Sequence, residues 1–117
     1  MAGPSWKKSP PELIEAFGAV AGRYQDLELR KMFGYPAAFL GGNMATCLHE
    51  ERWIVRLAEP DRTELLAREG AALFEPMPGR PMREYVVLPA DVVADPDATA
   101  GWVERSIEHA RTLPPKR

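Results

Sequence analysis

The spacing of hydrophobic positions changes along the chain, and each change predicts an element. Leu13, Ile14, Phe17, Val20, Ala21 and Tyr24 recur at helical spacing and draw one apolar stripe. Ser9 precedes this run and Glu12 follows three residues later, the spacing of a capping box, with Pro10 at the first helical position. From Leu27 the period shortens to two. Leu27, Leu29, Lys31 and Phe33 alternate with Glu28, Arg30 and Met32, the pattern of a half-buried strand. Gly34-Tyr35-Pro36 breaks that strand, and residues 37–40 are expected to form a second short one. Gly41-Gly42-Asn43 predicts a tight turn, because glycine and asparagine tolerate positive φ. Residues 44–49 then pair back, and Glu50-Glu51 makes the next turn. Beyond it, Trp53, Val55 and Leu57 face one way while Arg52, Ile54 and Arg56 face the other. The stretch reads as an antiparallel meander.

The second half alternates helix and strand. Pro60-Asp61 opens a helix with Leu65 and Leu66 as its apolar contacts and Gly70 near its end. Pro76, Pro78 and Pro81 exclude a central strand over residues 74–82 and predict an ordered loop or edge segment. Residues 83–88 form the last strand, ended by Pro89. Asp95 before Pro96 signals the N-cap of a third helix reaching Leu113, with Trp102, Val103, Ile107 and Ala110 on its core face. The predicted class is α+β: an antiparallel sheet of roughly four to five strands with about three helices, in the order α-β-β-β-(β)-α-β-α, the helices covering one sheet face.

Composition narrows the class. The chain has 117 residues, enough for one domain over 1–117 with loose ends at about 1–8 and 114–117. Its 45% hydrophobic and 27% charged content is that of a globular chain, not a disordered one. A single cysteine excludes an internal disulfide and points to a reducing, cytoplasmic setting. No apolar run approaches the roughly 18 residues needed to span a bilayer, and the first residues lack the apolar region of a signal peptide, so no membrane association is expected. A net charge of -2 gives no whole-chain argument for nucleic acid.

Candidate chemistry is sparse. Cys47 and His49 lie two apart on a predicted strand and share a side, but tetrahedral zinc needs three or four ligands and no others accompany them. They read as a buried cysteine and a rim histidine, with no metal and no cofactor expected. Ala45-Thr46-Cys47-Leu48 carries no nucleophile signature, so no catalytic residue is assigned and the chain is not expected to be an enzyme. Gly41-Gly42-Asn43 lacks the features of a phosphate loop. Arg30, Lys31, Arg52, Arg56, Arg80 and Arg83 all belong to the sheet region, and Arg52 and Arg56 share a face. With Tyr85 interleaved, that face has the composition of a nucleic-acid-binding sheet, whereas Glu28 and Glu84 on neighbouring strands are placed to neutralise it. Phe74, Met77 and Met82 flank the proline-rich segment and suggest a packed flap.

Three stretches together carry a family resemblance. Arg30-Lys31-Met32-Phe33-Gly34, Trp53-Ile54-Val55-Arg56-Leu57, and Met77-Pro78-Gly79-Arg80-Pro81-Met82 leading to Tyr85 and Pro89 resemble the N-terminal domain of the TfoX/Sxy family, over roughly residues 10–113. Tyr35-Pro36 stands where the family often shows a second glycine, and Arg56 where it often shows a lysine. The resemblance implies a curved antiparallel sheet with packed helices. It also implies a link to TfoX regulators of natural competence, which act in transcription with a cyclic-AMP-responsive activator. Because 117 residues leave no room for the helical C-terminal domain of the full regulators, a stand-alone domain is expected.

The function so implied is a non-enzymatic regulatory or protein-interaction module. Its expected partner is a protein of the transcription machinery, with a homodimer as a further expectation. The residues expected to bind are Lys31, Arg52, Arg56, Arg80, Met82 and Tyr85. Two alternatives stay open: nucleic-acid binding through the partly basic sheet face, and a small-molecule pocket between helices and sheet using Cys47, His49 and Tyr85. Gly34 and Gly79 suit positions of positive φ.

Overall fold

The computed structural model describes residues 7–77 and 79–115. In chain order the elements are α1 (Pro11–Ala21), β1 (Glu28–Met32), β2 (Tyr35–Leu40), β3 (Asn43–His49), β4 (Arg52–Arg56), α2 (Glu59–Leu66), β5 (Ala72–Met77), β6 (Arg80–Val87), α3 (Ala90–Val93) and α4 (Pro96–Arg111). The six strands form one sheet in the order β1-β2-β3-β4-β6-β5, with every neighbouring pair antiparallel. The α+β class holds, with six strands and four helices in place of the smaller numbers expected. The proline-rich segment supplies the extra strand. Its first part, with Pro76, pairs as edge strand β5, where a residue without an N–H is tolerated. Pro81 falls in the interior strand β6, which begins at Arg80 and not at residue 83 as expected, on a stretch ahead of its pairing with β4 at Tyr85. The short helix α3, which the periodicity does not predict, precedes α4.

Among the described residues, helices cover one face only. Phe17, Val20, Leu48, Trp53, Val55, Val86, Val103 and Ile107 form the main core between the sheet and helices α1 and α4. Trp53 and Val55 point into it while Ile54 points to the opposite face, as the alternation requires. Polar groups inside this core are satisfied. The Trp53 indole N–H donates to Thr46 Oγ1 at 2.9 Å, and the Thr46 hydroxyl donates to the Ile54 carbonyl at 2.7 Å. The predicted cap of α4 is present: Asp95 Oδ1 accepts from the N–H groups of Asp97 at 3.0 Å and Ala98 at 3.3 Å.

Three local expectations are overturned. The capping box at Ser9 and Glu12 does not form, because the residue before a proline is pushed out of the helical region. Pro11 holds Pro10 at ψ 142, so α1 starts one residue later than expected, with Pro10 itself as an N-cap that offers no side chain. Ser9 is then out of capping reach, and its hydroxyl donates instead to the Glu50 carbonyl at 2.6 Å. Strand β1 is exposed, not half-buried, because it is the sheet edge; Leu29 keeps 53% of its surface in solvent. Phe33, expected in that strand, lies in the turn after it. Of the ends expected to be loose, Lys7 donates its N–H to Glu50 at 3.0 Å, and the Pro114 carbonyl accepts from Asn43 Nδ2 at 2.9 Å. Residues 1–6 and 116–117 lie outside the described residues. Among the described residues no helix is long and apolar enough to cross a membrane.

Candidate functional site

The helix-free face of the sheet is concave and apolar, and it holds an open hollow of about 400 Å³. Two hairpins wall it. In the first, Met32 pairs with Tyr35, leaving Phe33 and Gly34 as a two-residue turn with φ of 54 and 85. Positive φ at both central positions is the requirement of the hairpin turn that matches strand twist, and Gly34 meets it without strain. Phe33 meets it at the expense of the left-handed conformation of a bulky residue, and its ring stands 78% exposed at the mouth of the cavity.

The second wall comes from β5 and β6. Leu73 pairs with Val86, yet the next residue, Phe74, pairs with Met82, so Arg83, Glu84 and Tyr85 of β6 have no counterpart on β5. Unmatched residues bend a strand. The bend coincides with the hairpin arm that brings Phe74, Pro76 and Met82 to the cavity. Gly79 closes this hairpin at φ 78, its N–H held by Glu75 Oε1 at 3.1 Å.

The floor depends on a bulge in β3. Ala38 pairs with Thr46, but Phe39 pairs with Met44, which leaves Ala45 as an extra residue. Without it, alternation would aim Met44 at the helices; with it, Met44 and Cys47 share the cavity face while Leu48 enters the main core. Cys47 is buried, and burial pushes its thiol up to about 12. It therefore stays protonated at neutral pH and is neither an activated nucleophile nor a thiolate ligand. His49 is also buried, its ring 5.1 Å from those of both Tyr35 and Phe74. Burial, the largest influence on it, lowers the His49 pKa and so favours the neutral imidazole.

Arg56 is the cation in the cavity wall. Its guanidinium lies 5.4 Å from the centre of the Tyr85 ring, and its Nε–H donates to Glu84 Oε1 at 2.9 Å. The same carboxylate oxygen is 2.9 Å from His109 Nε2 of α4. The hydrogen bonds from His109 and then Arg56 hold the Glu84 carboxyl below its ordinary range. Burial raises the Tyr85 phenol, which is the neutral donor form at neutral pH.

Of the residues expected to bind, Arg56, Met82 and Tyr85 line the cavity. Arg52 lies outside it, beside His49 and 3.7 Å from Glu50. Lys31 on β1 and Arg80 at the β5–β6 turn are exposed and do not line it. The partly basic face is neutralised only in part: Arg30 meets Glu28 at 2.8 Å and Arg56 meets Glu84 at 2.9 Å. Cys47, His49 and Tyr85 do converge, but on the helix-free face and not between helices and sheet, since Leu48 rather than its neighbours faces the helices. Met44 carries no signal in the sequence that places it here, because a bulge sets its direction, whereas Phe39 follows the plain alternation of β2, with Ala37 beside it on the cavity face and Ala38 on the core face. Among the described residues no three His, Cys, Asp or Glu side chains come together as metal ligands. The arrangement is chemically suited to binding: an apolar hollow with a few polar groups in its wall.

The family model described as the TfoX N-terminal domain matches residues 19–110, a span that holds both hairpins and the cavity between them. No curated protein and no solved structure matches the chain.

Proposed function

Since this chain belongs to the TfoX N-terminal domain family, we propose that it is a regulatory module that works by docking on a partner protein and not by catalysing a reaction. The observation that carries this reading is Phe33, an aromatic side chain presented 78% exposed from a left-handed turn. Aromatic residues are the usual anchors of protein interfaces, and a strained conformation at an exposed tip is the kind of feature found at binding sites. Leu29 adds exposed apolar surface on the edge strand β1 that leads into this turn, and the outer backbone groups of that strand face strand addition. Lys31, Arg80 and Arg83 are exposed and make no ion pair among the described residues. A partner of matching chemistry offers an apolar hollow edged by carboxylates, and the family link makes a component of the transcription machinery the expected source. Nucleic-acid binding through the sheet has less behind it, because Arg30 and Arg56 are already paired with carboxylates.

The test is photo-cross-linking in cells from a reactive residue placed at position 29, with and without Phe33→Ser. Recovery of an identified transcription component that is lost with Phe33→Ser supports the reading. Recovery of no such component, or the same component with equal yield from both proteins, overturns it.

A further inference from the structure

We propose that the cavity behind Phe33 is a binding site for a small aromatic carboxylate. This goes beyond the docking reading, which concerns the rim and the β1 edge, and it stands on different residues.

Size comes first. A volume of about 400 Å³ lies at the lower end of the range of small-molecule pockets, which suits a fused-ring compound. The lining then selects the body of the ligand. Phe39, Phe74 and Tyr85 offer ring faces and edges for offset or edge-to-face contacts with a flat aromatic molecule. Met32, Met44 and Met82 surround them with unbranched thioethers, which adapt to the outline of a ring and make favourable sulfur–aromatic contacts.

Arg56 selects the charge. Its Nε–H is committed to Glu84, but its Nη atoms make no hydrogen bond among the described residues, and a guanidinium has N–H groups there in a fixed fork. The Glu84 contact and the Tyr85 ring hold the guanidinium in one orientation, so a ligand carboxylate meets a donor pair already in place. Glu84 divides its hydrogen bonding between Arg56 and His109 and does not saturate the arginine. A cationic aromatic ligand finds no carboxylate in the lining, and a neutral one leaves the Nη fork of Arg56 without an anionic acceptor beyond the contact that Glu84 makes at Nε.

The experiment uses the full chain and three probes that share one ring system: 2-naphthoate, 2-naphthylmethanol and 2-naphthylmethylamine. Binding is followed by calorimetry and by shifts in the amide spectrum at neutral pH. The expected result is saturable binding of 2-naphthoate, at least about tenfold tighter than the alcohol, with the amine weakest. Arg56→Gln is expected to remove the preference for the acid, bringing acid and alcohol to similar affinity. Met82→Trp, which fills the cavity from its edge, is expected to weaken all three. No saturable binding of 2-naphthoate up to roughly 1 mM overturns the proposal. So does equal affinity for acid and alcohol, or binding that Met82→Trp leaves unchanged. The comparison of probes and the Met82 variant keep the test decisive even where Arg56→Gln fails to fold.

Discussion

The Nε–H of Arg56 donates to Glu84 across strands β4 and β6 at 2.9 Å. The carboxylate oxygen that receives it also lies 2.9 Å from His109 Nε2. One acidic side chain thus joins the concave face of the sheet, through Arg56, to the helix layer, through α4. It also turns an arginine that would otherwise be a mobile surface cation into a fixed, half-neutralised donor, with 15% of its side chain exposed.

The pH dependence of stability follows from this contact. Because Glu84 is held below the ordinary carboxylate range in the folded protein, its contribution is fully present above the unfolded value of about 4.3. It is lost as the pH falls through the folded value. With 40% of the Glu84 side chain exposed, solvent screening limits the effect, and Glu84→Gln is expected to lower stability at neutral pH by about 1 kcal/mol or less. Urea unfolding of both proteins at a series of pH values checks this. The gap between them should shrink on acidification, and a gap independent of pH would contradict the assignment.

Thr46 is expected to matter more than its size suggests. Its hydroxyl accepts from the buried Trp53 indole and donates to the Ile54 carbonyl. Thr46→Val keeps the shape and strands both partners, which is expected to cost about 2 kcal/mol, whereas Thr46→Ser restores most of it. Denaturant midpoints at unchanged slope are the measurement; equal midpoints for Val and Ser would show the hydroxyl to be idle.

Replacing Phe33 by asparagine is expected to stabilise the protein. Asparagine tolerates the left-handed conformation, and Asn-Gly is the preferred pair in this turn, so relief of strain is expected to yield about 1 kcal/mol. Little buried surface is lost, since the ring is 78% exposed. A rise in the melting temperature together with loss of partner recovery is the anticipated pattern. A fall in melting temperature would mean that the Phe33 ring stabilises the folded chain by more than the turn strain.

Cys47 should be inert in the folded protein. A buried thiol pushed up to about 12 presents almost no thiolate at pH 8. Iodoacetamide is expected to label it slowly in buffer and rapidly in denaturant. Fast labelling under native conditions would show that the cavity floor opens readily.

Much of the fold is legible in the chain because the determinants are local. The stripe of Leu13, Phe17, Val20, Ala21 and Tyr24 (Ile14, expected in it, stays exposed), the Asp95-Pro96 cap, the alternation from Trp53 to Leu57 and the positive φ of Gly34 and Gly79 each express contacts between residues a few positions apart. The failures are local as well as distant. Pro11 displaced the start of α1 by one residue and so disabled a capping box that was correctly spaced. The prolines of β5 marked an edge segment, but not that it would pair.

The sequence by itself determined the class of the protein, the identity of most elements and the residue types available to a site. It also placed Arg56 and Tyr85 on the sheet and Met82 near a turn. Only the tertiary structure decided that these residues share one hollow with Met32, Phe33 and Phe39, which lie far from them along the chain. It also decided that Arg30 and Arg56 are paired with carboxylates and that Met44 turns away from the helices. The physical reason is the same in each case. Strand register, bulges and ion pairing are set by packing between segments distant in sequence, and a shift of one residue reverses the face that every side chain presents.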